Sequence, residues 1–239
     1  MNIDGLERHA AVIPSMGGKK IGSFLQEIAR DAPPETSIVE VGSWLGSGTS
    51  YLALGNLERN IPLPMHIYDM WEATADEVEK AEERNGLKLE IGQDTLPLTK
   101  EFLAPFDVPI RFHKCDINEA GWNRDPISVY VDDAAKNSFT FDHVLRTFGP
   151  HWIPGVTIVV LMDFNYWKKS GSRDHKAQKK FVDCYVNHFE RLPGGPMNGT
   201  TGEAFRYLKR VDFSQIPQPT FPKVPRVASR ALRGFFCGR

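Results

Sequence analysis

The stretch from Ser37 to Leu54 constrains the fold most, because it combines a strand, a glycine-rich turn and the start of a helix. Its first five residues, 37–41, are rich in β-branched side chains and have the length of a strand buried on both faces. Glycines at 42, 46 and 48 then interrupt the chain, and an apolar helix-like segment, 51–57, follows. Because glycine permits sharp turns and close contact between backbone and ligand, the stretch predicts a small-molecule site.

The spacing of these glycines narrows the class of ligand. A dinucleotide fingerprint reads Gly-x-Gly-x-x-Gly, whereas these glycines are separated by three residues and then by one. Glu40 precedes the first glycine by two residues, and a carboxylate there is a poor neighbour for a pyrophosphate. It suits a cofactor with a positive amine and a sulfonium. A glycine-rich turn of some other doubly wound protein is the alternative.

The pattern Glu-x-Gly-x-x-x-Gly-x-Gly, followed by a hydroxyl residue, resembles the first motif of class I S-adenosylmethionine (SAM)-dependent methyltransferases. It is most similar to the catechol, caffeoyl-CoA and macrocin-type O-methyltransferases. The resemblance implies a doubly wound, Rossmann-like α/β fold with a mostly parallel seven-stranded sheet and an antiparallel last strand. It also implies that SAM is bound by Glu40, Gly42, Ser43, Gly46, Gly48 and Thr49.

The remaining segments are consistent with that fold. Further strands are predicted over 64–69, 108–116, 128–133, 157–163, 189–192 and 203–210, and helices over 19–31, 73–85, 141–148 and 172–188. Residues 1–18 are predicted to be irregular, because Pro14 and the glycine pair at 17–18 are breakers. We expect a cap segment over 1–36, a SAM-binding domain over 37–212 with an insert over about 71–106, and a basic, proline-rich tail over 213–239.

The insert is long for a connection in such a fold, so we interpret it as a lid or an acceptor-selecting element. Its acidic run, between Glu72 and Glu83, is interpreted as a solvated helix face.

Acidic residues end several predicted strands. Asp69 lies where a doubly wound fold places a carboxylate on ribose hydroxyls, and a helix cap is the alternative. The resemblance implies that Asp116 accepts a hydrogen bond from the adenine amino group, and a turn-forming role is equally open. Asp133, which ends the fourth strand, is also expected to contact the cofactor.

The fourth and fifth strands end in oxygen ligands that suit a magnesium ion. Asp133-Ala-Ala-Lys136 resembles the Asp-x-x-Lys segment of the metal-dependent enzymes, in which Asp binds the metal and Lys acts as base. The resemblance implies that Asp133, Asp163 and Asn165 hold Mg²⁺. Two features leave it open whether a metal binds. Phe164 stands where those enzymes have Asn, and Asp132 is an alternative to Asp133 as the ligand.

Transfer of a methyl group to a hydroxyl requires that the hydroxyl lose its proton during attack. Lys136 is the first candidate base and His143 an alternative. The alternatives are that Lys136 is a surface lysine at the start of a helix and that His143 is a histidine on a helix face, neither with a catalytic role.

Composition limits the partners. The net charge of −1 argues against nucleic acid as a partner, and the sequence contains no run long enough for a transmembrane segment. The N-terminus lacks the order of a signal peptide, and the three cysteines, without a Cys-x-x-Cys pair, are expected to be free thiols in the cytoplasm. A homodimer is compatible with the sequence.

We therefore expect a SAM-dependent O-methyltransferase that acts on a small-molecule acceptor, a sugar or a phenol, with or without a divalent cation. A non-catalytic protein that binds SAM or a partner is one alternative, because the second metal segment is imperfect. An NAD-linked oxidoreductase is another, although the glycine spacing argues against it.

Overall fold

The β-branched run at 37–41 forms an interior strand of a seven-stranded sheet. The computed structural model describes residues 2–16, 21–193 and 200–217. Its strands are β1 (Ser37–Val41), β2 (Met65–Asp69), β3 (Ile110–Lys114), β4 (Ile127–Asp132), β5 (Ile158–Leu161), β6 (Phe189–Arg191) and β7 (Glu203–Tyr207). Its helices are α1 (Ile3–Val12), α2 (Gly22–Arg30), α3 (Ser47–Leu57), α4 (Ala75–Asn85), α5 (Leu96–Leu103), α6 (Ser138–Phe148), α7 (Trp167–Ser170) and α8 (Ala177–Cys184).

The strand order is β3-β2-β1-β4-β5-β7-β6. Strands β1 to β5 pair in parallel, and β7 runs antiparallel to both β5 and β6. This order confirms the predicted doubly wound, mostly parallel sheet with an antiparallel last strand. Strands β1 and β4 are buried along their whole length, which explains why their sequences lack a regular polar alternation.

Helices cover both faces of the sheet, and β1 divides its side chains between them. Ile38 packs into one core with Leu25 of α2 and Leu52 of α3. Val39 packs into the other core with Phe141 of α6. Because successive strand residues point to opposite faces, the two cores fix β1 and hold the loop after it at one edge of the sheet.

The prediction that residues 1–18 are irregular was wrong, since α1 occupies Ile3–Val12. Its cap is the Asn2 side chain, which accepts a hydrogen bond from the N–H of Gly5 at 3.0 Å. Only Leu6 and Ala10 of this helix are buried. Because the buried face consists of just these two residues, the sequence shows no clear helical repeat of apolar side chains. Such a helix depends on tertiary packing.

The prediction of a single helix over 172–188 was also wrong in detail. The segment contains a 3-10 turn at Asp174–Lys176, then α8, then a second 3-10 turn at Val186–His188. The short helix α7 precedes it and ends at Gly171, whose φ is +69°. The other predicted helices and strands are present with ends that differ by a few residues.

Several predictions concern residues outside the described ranges. These are the glycine pair at 17–18, the start of the helix predicted at 19 and the tail beyond 217. The domain limits at 36 and 212 stay predictions. In the described part of the chain, no helix is long and apolar enough to cross a membrane. Cys115 and Cys184 are free thiols as predicted, and Cys237 lies outside the described residues.

Candidate active site

A cleft of about 900 Å³ opens at the C-terminal ends of the parallel strands. Its floor is formed by residues that follow β1 and β4, which are neighbours in the sheet. The chain continues from β1 to β2 on one side and returns to β4 on the other, and α/β sheets bind ligands at such a point. The cleft lining includes the predicted residues Glu40, Gly42, Ser43, Gly48, Asp69, Asp116, Asp133, Lys136 and Asp163.

The turn after β1 and the first residues of α3 approach their neighbours closely because two positions, one in each, lack a side chain. Gly42 has a φ of +84°, and a Cβ there would lie 2.8 Å from the carbonyl carbon of Asp133. A Cβ on Gly48 would lie 2.5 Å from Glu40 Oε1. A larger side chain at either position would therefore displace the turn or the carboxylate.

Glu40 is a buried carboxylate that also borders the cleft. Its Oε2 accepts a hydrogen bond from Thr49 Oγ1 at 2.5 Å, and Thr49 Oγ1 lies 2.9 Å from Ser43 Oγ. Burial raises the pKa of Glu40 to about 7, and the Thr49 hydroxyl opposes the shift. A cationic ligand group in this part of the cleft would favour the ionised carboxylate.

Gly46 and Thr49 support the turn from outside the cleft lining. Gly46 has a φ of +88°, and a Cβ there would meet the side chain of Leu103, in α5, at 3.0 Å. Thr49 is fully buried behind Glu40. A side chain at position 46 would therefore strain the turn and its packing on α5 rather than fill the cleft.

Asp69 holds the loops that follow β1 and β2. Its Oδ2 accepts a hydrogen bond from the N–H of Trp44 at 2.8 Å, and its Oδ1 accepts one from the N–H of Trp71 at 2.7 Å. Both tryptophans have left-handed φ angles, 49° and 45°, which are uncommon for bulky residues. Burial raises the pKa of Asp69, and these N–H groups oppose the shift. Each carboxylate oxygen keeps a lone pair that can accept a ligand hydroxyl.

Asp116 borders the cleft after β3. Its Oδ1 accepts hydrogen bonds from the backbone N–H and from Nδ2 of Asn118, both at 2.9 Å. Asp116 thereby caps the 3-10 turn at Ile117–Glu119. The turn-forming role is present, and the other carboxylate oxygen can still accept a ligand bond.

Asp133, Lys136 and Asp163 interact electrostatically at the floor of the cleft, and we call them the Asp–Lys–Asp group. The Asp133 side chain is exposed to the cleft; the protein that surrounds it and then repulsion from Asp163 raise its pKa, and Lys136 opposes the shift. Desolvation raises the pKa of Asp163, whereas Lys136, His175 and Lys80 lower it. Lys136 therefore favours the ionised form of both acids.

Two further candidates from the sequence do not border the cleft. Asp132 is fully buried, and its Oδ1 accepts hydrogen bonds from the backbone N–H groups of Ala134 and Ala135 at 3.2 and 2.9 Å. His143 Nε2 lies 3.1 Å from the carbonyl oxygen of Ala120. Asp133 rather than Asp132 thus faces the cleft, and His143 does not border it.

The predicted metal ligands fit a cation only in part. Asp133 and Asp163 both border the cleft, and Asp163 Oδ2 is buried without a hydrogen-bond partner. Asn165 instead donates its Nδ2 to Glu203 Oε1 at 3.1 Å. No group of three or more His, Cys, Asp or Glu side chains suited to a metal occurs among the described residues. Magnesium often binds one or two carboxylates and keeps its waters, so the acid pair fits such an ion and the three-residue set does not.

The cleft is also lined by residues that belong to no recognisable sequence motif. Lys80 and Arg84 of α4 form part of its wall, as do Tyr166 and Lys169 after β5. The spacing of four residues places Lys80 and Arg84 on one helix face. That spacing could have identified them as a pair, but only the packing of α4 turns this face toward the cleft.

No protein-family model matches the sequence, and no curated protein matches it. A methyltransferase from Podospora anserina, solved with S-adenosylhomocysteine (SAH) bound, matches its fold with a TM-score of 0.56 at 12% identity, over 86% of this chain and 88% of that chain. A Klebsiella pneumoniae protein assigned as an O-methyltransferase matches with a TM-score of 0.54 at 16% identity, over 87% and 89%.

The methyltransferase MycE of mycinamycin biosynthesis, solved with Mg, SAH and mycinamycin VI, matches with a TM-score of 0.51 at 12% identity, over 89% of this chain and 56% of that chain. At these identities the likeness is one of fold. The chain has the Rossmann-like fold that these methyltransferases share.

Proposed function

We propose that this protein is a SAM-dependent O-methyltransferase that transfers a methyl group to a hydroxyl of a small-molecule acceptor. The observation that carries the proposal is one continuous cleft, which joins Glu40 and the glycine turn to the Asp–Lys–Asp group. The first part suits a cationic cofactor. The second suits a hydroxyl that must lose its proton.

In the cofactor half, each residue has a separate task. Gly42 and Gly48 let the chain lie directly against Asp133 and Glu40, which shapes this half of the cleft. Glu40 attracts the positive amine and sulfonium. Asp69, held by two backbone N–H groups, accepts the ribose hydroxyls, and Asp116 accepts from the adenine amino group. The loops that follow β3, β2 and β1 carry Asp116, Asp69 and the glycines, and these strands are neighbours in that order along the sheet.

In the acceptor half, the Asp–Lys–Asp group positions and activates the hydroxyl. Holding the acceptor oxygen in line with the methyl–sulfur bond removes much of the entropic barrier. Lys136, as the neutral amine, takes the hydroxyl proton as the oxygen attacks the methyl carbon and the methyl–sulfur bond breaks, which leaves SAH. Asp133 and Asp163 orient the acceptor. A divalent cation held by these two carboxylates would polarise the same hydroxyl.

The acceptor is a small hydroxylated molecule, a sugar or a phenol. The support is the size of the cleft, about 900 Å³ for both ligands together, which matches small-molecule sites. Tyr166 adds an aromatic face beside Lys136, whose Nζ lies 5.6 Å from the ring centroid. That face suits a sugar or an aromatic ring.

The first test is calorimetric titration with SAM and with NAD. We expect micromolar binding of SAM and none of NAD. Binding of NAD but not SAM would favour an oxidoreductase and contradict the proposal.

The second test is methyl transfer from radiolabelled SAM to a panel of sugars and phenols, with and without a chelator. Lys136→Met should lower kcat at least a hundredfold while SAM affinity changes less than threefold, because a general base contributes about 10²–10⁴-fold. Lys168→Met is the control, because Lys168 lies two residues after Tyr166 and outside the cleft lining. SAM binding with no transfer to any acceptor would favour a non-catalytic binding protein. Full activity in chelator would remove the cation from the mechanism.

A further inference from the structure

The segment that carries α4 joins the rest of the protein through a narrow neck. An isolated antiparallel bridge pairs Glu72 with Asp94. Next to it, the N–H of Gly92 donates a hydrogen bond to the carbonyl oxygen of Ala73 at 2.7 Å. Residues 74–91 therefore form a loop that is closed at its base, and we call this loop the flap.

The flap has little apolar packing. Among its residues, all of which the structure describes, only Ala81 and Leu89 are buried. Both belong to a small cluster with Trp44, which lies in the turn after β1. Gly86 ends α4 with a φ of +63°, and a Cβ there would meet nothing within 4 Å. Segments with few buried apolar contacts open locally at a low free energy, so the flap is expected to open before the sheet does.

One face of α4 borders both halves of the cleft. Glu77 and Lys80 of this helix are part of the cleft lining. Glu77 acts electrostatically on Asp69 in the cofactor half. Lys80 acts electrostatically on Asp163 in the acceptor half. The helix therefore lies beside both halves, and its movement would open both of them at once.

The C-terminal end of α4 is tied to a distant part of the chain by two hydrogen bonds, which we call the latch. Arg84 donates from Nη1 to the carbonyl oxygen of Met16. Asn85 Oδ1 accepts a hydrogen bond from the N–H of Ser15 at 3.2 Å. Ser15 and Met16 come after α1 and border the cleft themselves. The latch therefore joins the flap to another wall of the cleft.

We propose that the flap opens at its neck to let SAM enter and SAH leave, and that the latch keeps it closed between these events. The exchange of cofactor past the flap rests on the proposed function, whereas the opening itself is a property of the fold. Both latch bonds are exposed, so water replaces them when they break and each contributes only modestly. A latch of this kind closes the cleft reversibly.

Hydrogen exchange of the ligand-free protein tests the opening. Arg84→Met removes the donor and Asn85→Ala removes the acceptor, and neither change lowers the helix propensity at its position. Because a detached helix of 11 residues is marginal in water, its amides exchange when the flap opens. We expect each variant to speed exchange in α4 about fivefold and to leave β1 and β4 unchanged. Lys88→Met, at an exposed flap position outside the cleft lining, is the matched control and should have no effect.

Stopped-flow measurement of SAH binding tests the gate. If the flap must open for both entry and exit, a weaker latch speeds both steps by the same factor. We expect the double variant, Arg84→Met with Asn85→Ala, to raise kon and koff each about fivefold or more and to leave Kd nearly unchanged. Loss of a direct contact with SAH would instead raise koff and Kd at a nearly constant kon.

Exchange in α4 that is the same in the latch variants and in Lys88→Met would overturn the proposal. A rise in koff alone would also overturn it, because Arg84 and Asn85 would then be ligand contacts. Faster exchange with unchanged kon and koff would show an opening that does not gate the cofactor, which is equally contrary to the proposal. If SAH does not bind to the natural protein, the proposed function fails, and hydrogen exchange still decides whether the flap opens.

Discussion

Position 48 can hold only a glycine without disturbing Glu40. Because a Cβ there would lie 2.5 Å from Glu40 Oε1, we expect Gly48→Ala to move the carboxylate and to weaken SAM binding at least tenfold. Gly121→Ala is the matched control, since a Cβ at Gly121 meets nothing within 4 Å. Calorimetry on both variants measures the difference. Equal SAM affinity in the two would contradict our placement of the cofactor.

Asp132 should make the stability of the protein depend on pH. Its full burial raises its pKa to about 7, whereas an unfolded aspartate titrates near 4. The folded state therefore holds this proton more tightly, so its contribution is complete below about pH 4 and is lost as pH rises through about 7. Asp132→Asn keeps an oxygen for the N–H groups of Ala134 and Ala135 and cannot ionise.

We therefore expect Asp132→Asn to gain stability relative to the natural protein between pH 5 and pH 8. Urea unfolding at both pH values measures the change. Asp125→Asn, at an exposed position, should show no such gain. A stability difference for Asp132→Asn that is the same at both pH values would contradict the assignment.

At the scale of elements, α4 depends on its first turn. Thr74 Oγ1 accepts from the N–H of Glu77 at 3.3 Å, and the Glu77 side chain accepts from the N–H of Thr74 at 2.7 Å. Only Ala81 of this helix is buried, so packing does little to hold it. We expect Thr74→Ala to cost about 1 kcal/mol and to speed proteolysis within 75–85. Glu83→Ala, exposed on the same helix, is the control, and equal proteolysis of the two would contradict the role of the cap.

At the scale of the whole molecule, cofactor binding should raise the melting temperature. A ligand at one hundred times its Kd stabilises a protein by about 2.7 kcal/mol. For a chain of this size that corresponds to a shift of about 5–10 °C. We expect this shift with SAM and a change below about 1 °C with NAD. Thermal melts at several concentrations of each ligand measure it, and equal shifts would contradict the cofactor class.

The fold and the set of strand-end acids that border the cleft follow from local features of the sequence. The apolar strand at 37–41 and the glycines after it specify strand, turn and helix through local sterics. Acids at the ends of successive strands meet at one edge of the sheet, because parallel strands align their C-terminal ends. Asp69, Asp133 and Asp163 border one cleft for that reason.

Which of several chemically equivalent side chains faces the cleft depends on tertiary contacts. Asp132 and Asp133 are alike in sequence, but hydrogen bonds to Ala134 and Ala135 turn the first inward. Asn165 bonds to Glu203 from a strand 38 residues later, a contact that no local pattern encodes. The face of α4 that carries Lys80 and Arg84 borders the cleft, where Arg84 donates to the carbonyl of Met16 from a distant part of the chain. Local sequence determines where helices, strands and turns form, whereas the direction in which a given side chain points depends on contacts between distant parts of the chain.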